Sequence, residues 1–106
     1  MAARVSKADF DDKVLGSSLP VLVDFYSDSC VPCKRMSPVV GGVEDEREGS
    51  LSVYKVNINF DTELAEQYDV QSVPTLLLFN GGAEVARQSG AVRKDALDAW
   101  IDDNVK

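Results

Sequence analysis

The chain reads as an α/β protein with a central mixed β-sheet covered by helices on both faces. Three observations predict this. Residues 20–26 and 73–79 are nearly continuous apolar runs of strand length, the pattern of strands buried on both sides. Helical patterning lies between them, as a strand–helix–strand unit requires. Asn80-Gly81-Gly82 is a hairpin signal that sends the second run straight back as an antiparallel neighbour. With 106 residues, 44% of them hydrophobic, the chain has the length of one domain and enough apolar content for a core. A single domain over residues 1–106 is expected.

Ser6-Lys7-Ala8-Asp9 resembles a capping box with Asp in place of Glu and predicts a short helix to about residue 15, ended by Gly16-Ser17-Ser18. The first buried strand, 20–26, is interrupted by one acid, Asp24. After Ser27-Asp28-Ser29, the cysteine pair opens a helix reaching about residue 48. Pro38 within it predicts a kink, because its ring removes a donor and crowds the preceding turn. Residues 51–58 alternate and predict the next strand. Asp61 can cap a short helix carrying Leu64, Ala65 and Tyr68. The run led by Val73-Pro74 is the second buried strand, and residues 83–89 return beside it. The last helix, 93–104, sets Leu97, Trp100 and Ile101 on one face, so Trp100 is read as core packing. Met36 is read as core filling, and the acids between Glu44 and Glu48 as a solvated helix face.

Composition removes several function classes. The net charge of −7 argues against nucleic-acid binding, which needs clustered Lys and Arg. No apolar stretch is long enough to span a membrane, and the first residues lack the apolar core of a secretory signal, so a cytoplasmic location is expected. There is no histidine, which excludes Ser-His and Cys-His nucleophile pairs. Two cysteines alone do not complete a zinc site, and no metal is expected.

Cys30-Val31-Pro32-Cys33 carries the chemistry. A Cys-x-x-Cys between a buried strand and a helix reads as a redox pair. The first sulfur meets the unpaired N–H groups and positive dipole end of the helix, which favour a thiolate. A thiol with a pKa near 8.5 is roughly 3% ionised at pH 7, and about half ionised if that value falls to about 7. Thiolate is the attacking species in disulfide exchange. Pro32 has no N–H to lose so early in the helix. The alternatives are a structural disulfide and two inert buried thiols. So short a loop constrains the unfolded chain little, and the cytosol would keep it reduced.

These residues resemble the thioredoxin family. The segment from Asp24 through Lys34, the in-helix Pro38, the Val73-Pro74-Thr75 loop, Gly82 and Gly90 match its motifs in order, with no evident gap from Ser6 to Val105. The resemblance implies a thioredoxin fold, about five strands flanked by about four helices. It also implies a protein-disulfide reductase working through a mixed disulfide, with Cys30 as nucleophile and Cys33 as resolving thiol. Asp24 would accept the Cys33 proton, its pKa raised by burial; the alternative reading is an ion pair with Lys55. Val31, Pro32 and Lys55 would tune the redox pair, and Ser29, Val73, Pro74 and Gly90 would bind substrate. Pro74 matches the family's cis-proline, where the residue alone is equally compatible with a trans proline at a strand start.

The redox-active Cys30–Cys33 disulfide would be the only redox group, with no bound cofactor. No nucleotide-binding glycine motif is present, so electrons would come from a separate thioredoxin reductase. Disulfide-containing client proteins are the other expected partners, for a monomer that binds neither nucleic acid nor membrane. Three positions depart from the family: Ser29 stands where Trp usually precedes the first cysteine, Tyr26 replaces another Trp, and Val31 replaces Gly. Rival functions are a more oxidising or glutathione-linked catalyst, and a scaffold that uses the fold without its chemistry. A scaffold would need neither both cysteines, nor Asp24, nor Pro74.

Overall fold

Among the described residues, five strands form one sheet: β1 (Ala3–Arg4), β2 (Val21–Tyr26), β3 (Ser52–Asn57), β4 (Thr75–Asn80) and β5 (Ala83–Ser89), in the spatial order β1-β3-β2-β4-β5. The computed structural model describes residues 2–105; Met1 and Lys106, the ends of the expected domain, lie outside the described residues. β2 pairs parallel with β3 from Val21↔Ser52 to Tyr26↔Asn57, and antiparallel with β4 from Val21↔Phe79 to Phe25↔Thr75. The sheet is therefore mixed, as the strand order in the sequence predicts. Helix α1 (Lys7–Phe10) runs into a π-helical turn, Asp11–Leu15, and α2 (Val31–Glu46), α3 (Thr62–Gln67) and α4 (Lys94–Asn104) follow. Among the described residues, no helix is long and apolar enough to cross a membrane.

The period-2 alternation of strands divides the core in two. On one face, Val21, Val23 and Phe25 of β2 and Leu77 and Phe79 of β4 meet Phe10, Val14 and Leu64. On the other, Leu22, Leu76 and Leu78 meet Met36, Val40 and Val43 of α2 and Leu97 and Ile101 of α4. Both central strands are apolar on both faces because each face has its own helices to bury against. Trp100 is half-buried and packs at the margin of the second cluster. At the hairpin, Gly81 and Gly82 take φ of 65° and 83°, the left-handed pair that a two-residue turn needs. A Cβ on Gly82 would also lie 3.0 Å from the Leu15 carbonyl oxygen.

Several local expectations change. β1 is too short to show a sequence pattern, yet it pairs parallel with β3 at Ala3↔Tyr54 and Arg4↔Lys55. The capping box does not form: Ser6 Oγ donates to the Asp9 carboxylate at 3.5 Å instead of serving a backbone group. Asp61 stands at the N-cap of α3, but its Oδ1 accepts from the Lys7 backbone N–H at 3.3 Å, so it serves the first turn of α1. α2 stops at Glu46, two residues short of expectation, and Gly49 at φ 87° turns the chain toward β3. Pro74 precedes β4 and is not part of it.

The face between Glu44 and Glu48 is more than solvated acid. Glu46 pairs with Lys94 of α4 at 2.6 Å, and Arg47 reaches Asp98 at 3.1 Å and Asp102 at 2.9 Å. These contacts tie α2 to α4 from outside the core.

Candidate redox site

The site is built where β2 ends and α2 begins. β2 is buried through Phe25, so packing fixes the strand up to its half-buried last residue, Tyr26, and the following loop is fixed by polar contacts. Asn57, 2% exposed at the end of β3, donates from Nδ2 to Asp28 Oδ1 at 3.2 Å. The Asn59 N–H donates to Asn57 Oδ1 at 2.9 Å, and the Ile58 N–H to the Tyr26 carbonyl at 2.9 Å. This Asn57–Asp28–Asn59 brace is absent from the sequence reading. A buried Asn ending a strand is its one visible trace.

Cys30 is the N-cap of α2, with extended backbone at φ −88° and ψ 110°. Its Sγ accepts a hydrogen bond from the Cys33 backbone N–H at 3.1 Å. That amide is one of the donors a helix start leaves without an intrahelical partner, and a sulfur takes the place of the usual capping oxygen. Cys30 and Cys33 form a disulfide with Cα atoms 5.2 Å apart. Cys30 is half-buried and Cys33 is 5% exposed. Pro32 occupies the first turn of α2, where no donor is lost.

Asp24 is 5% exposed, and its Oδ1 has no hydrogen-bond partner among the described residues. Burial pushes its carboxyl up to about 6, against the opposing field of Lys55. Lys55 is the register partner of Asp24 across β2 and β3, and its ammonium lies 5.5 Å from the Tyr26 ring centroid. The alternative of a direct Asp24–Lys55 ion pair is not realised among the described residues; the lysine acts on the acid through space. Asp24, Cys33, Lys55 and Lys34 line one cleft of about 180 Å³, so the buried acid and the inner cysteine share a cavity open to the surface.

A second concavity, of about 540 Å³, borders the cysteine pair at Pro32. Val73, Pro74 and Gly90 line it together with Pro32, Met36 and Val92. The Val73–Pro74 peptide bond is cis. Gly90, at φ 87°, donates its N–H to the Pro74 carbonyl at 2.8 Å, and Thr75 Oγ1 donates to the Ser72 carbonyl at 2.7 Å. Among the described residues, Val73 makes no backbone hydrogen bond. Ser29 and Val31 are exposed on the cysteine loop but line neither concavity. Met36, read from the sequence as core filling, is 1% exposed and also lines the groove, with its sulfur accepting from the Val92 N–H at 3.3 Å. Sequence reasoning missed Arg35 and Val39 here. Pro32, Arg35, Met36 and Val39 are spaced i, i+3, i+4 and i+7, which puts them on one helical face.

The sequence profile described as Thioredoxin matches residues 1–103. Thioredoxin of Rickettsia bellii is 35% identical over 105 residues, covering 99% of this chain and all of the relative. Thioredoxin 1 of Nostoc sp. is 41% identical over 101 residues, covering 95% of this chain and 94% of its own. Thioredoxin of Synechocystis sp. is 41% identical over 99 residues, covering 93% and 92%. With likeness running through both halves of the sheet as well as the cysteine loop, the chain belongs to the thioredoxin family and is a thiol–disulfide oxidoreductase.

Proposed function

We propose that the protein is a protein-disulfide reductase that works through a mixed disulfide and is recharged by a separate thioredoxin reductase in the cytoplasm, a reducing compartment. One observation carries this reading: the Cys33 N–H bonded to Cys30 Sγ at the start of α2. In the reduced protein the same donor favours a Cys30 thiolate over a thiol. The thiolate attacks one sulfur of a client disulfide. A Cys30–client disulfide forms, the client S–S bond breaks, and the departing client sulfur takes a proton from solvent. Cys33 then loses its proton to Asp24, attacks Cys30 Sγ, and expels the second client thiolate, which also takes a proton from solvent. Two electrons have passed to the client, and Cys30–Cys33 is the product disulfide. The reductase returns two electrons, Asp24 gives its proton back to Cys33, and Cys30 is left as the thiolate.

Asp24 suits its part because a carboxyl near 6 exchanges protons at neutral pH. Lys55 holds that value below what burial alone would set. Val31 and Pro32 set the backbone between the sulfurs and so tune the dithiol against the disulfide. Val73, with its backbone groups free, pairs with an extended client segment by strand addition, and Pro74 and Gly90 shape the wall beside it. Ser29 contacts the client from the loop, and the protein acts as a monomer.

Insulin reduction driven by dithiothreitol tests the reading. The intact protein is expected to accelerate precipitation, Cys30→Ser to abolish the acceleration, and Cys33→Ser to accumulate covalent adducts released by reductant. Acceleration that survives Cys30→Ser would overturn it.

A further inference from the structure

The groove beside the cysteines has a charge unlike the rest of the molecule. The chain carries 18 acidic and 11 basic residues, yet the charged residues lining this groove are Arg35 and Arg93, with no acid. Its other walls are apolar, among them Met36, Val39, Pro74 and Val92. Arg35 is exposed, two residues beyond the inner cysteine, and forms no ion pair among the described residues. Arg93 pairs with Asp95 at 2.8 Å, but both side chains are largely exposed, 85% and 68%. Such a pair is weak and exchanges readily for a second carboxylate. The arginines come from opposite sides, one from α2 and one from the cap of α4.

We propose that this groove selects extended client segments that carry Asp or Glu beside the disulfide cysteine, with Arg35 and Arg93 as the specificity-determining residues. The inference rests on the disulfide-reductase reading above and names its substrate class. Charge complementarity identifies the occupant. Guanidinium groups present planar donor forks matched to carboxylates, and the apolar floor accepts the neighbouring side chains. The acidic remainder of the surface gives no general attraction for such clients. The preference is local, acting within a Debye length of the groove once the segment is seated.

Three peptides with one intermolecular disulfide and an otherwise identical sequence test this, flanked by Glu, Lys or Gln. For the full chain at low ionic strength, kcat/KM is expected to favour the Glu over the Lys peptide by about tenfold, the product of two attractions and two repulsions at exposed sites. High salt should shrink that ratio toward one. This readout needs no variant. Arg35→Ala combined with Arg93→Ala should remove most of the ratio, and the paired Lys substitutions should retain much of it. A ratio near one in the unmodified protein, or one unchanged in the double Ala variant, overturns the selectivity while turnover of the Gln peptide leaves the reductase reading standing. No turnover of any of the three peptides overturns both.

Discussion

Asp24 sits in an apolar strand with one carboxylate oxygen unpartnered among the described residues, and its environment gives the protein one pH-dependent contribution to stability. Its carboxyl stands near 6 in the folded chain against 3.8 ordinarily. Between those values the folded state holds a proton that the unfolded state releases, so stability falls as pH rises. The contribution is complete below the unfolded value and gone above about 6. The loss by neutral pH is on the order of 2–3 kcal/mol. Asp24→Asn is therefore expected to be more stable than the parent by about 1–3 kcal/mol at neutral pH, with the gap closing in acid, and to exchange disulfides more slowly. Urea unfolding at both pH values, beside an insulin assay, measures this. A variant no more stable at neutral pH would show that the carboxyl is not held up by burial. An acid in an apolar run is visible in the sequence. The position of Lys55, over Tyr26 and not against the carboxylate, depends on how β2 and β3 line up.

The contact between α2 and α4 has an apolar part and a charged part. Val40 and Val43 of one helix and Leu97 and Ile101 of the other supply the first. Arg47 supplies much of the second, with its side chain only 19% exposed and guanidinium bonds to Asp98 and Asp102. Arg47→Ala removes these bonds and leaves Asp98 with a weaker set, so a destabilisation of about 1–2 kcal/mol is expected. Denaturant unfolding of Arg47→Ala, Asp98→Ala and the double variant gives the coupling. Strict additivity would show that the network contributes nothing. Helix periodicity made α2 and α4 legible within about two residues at either end. Their caps were less so, because a cap depends on what stands opposite. Asp61 stands at the start of α3, as the sequence suggests, but its side chain accepts from Lys7 of α1 instead of capping its own helix.

Considered whole, the molecule holds together through two cores on either side of one sheet, and its disulfide adds little. Cys30 and Cys33 are three apart in sequence. Closing so small a loop stabilises by about 2 kcal/mol at most on the chain-entropy argument. The reduced protein is expected to stay folded and lose no more than about that amount. Unfolding in guanidinium with and without dithiothreitol checks it. Loss of the fold on reduction would make the bridge a structural staple and the redox cycle untenable.

The order of β2 to β5 and of the helices, the cysteine spacing at a helix start and the Gly81-Gly82 turn were all legible, because each is settled by residues that are neighbours along the chain, whereas the two-residue β1 was not. Steric limits on a short stretch act before any distant contact forms. The groove and the shared Asp24–Cys33 cleft were reached only through the family resemblance, and the Asn57–Asp28 brace not at all. Each joins residues from separate elements, as Met36 and Val92 do across 56 positions. Their meeting follows from sheet register and helix packing, which no local pattern encodes.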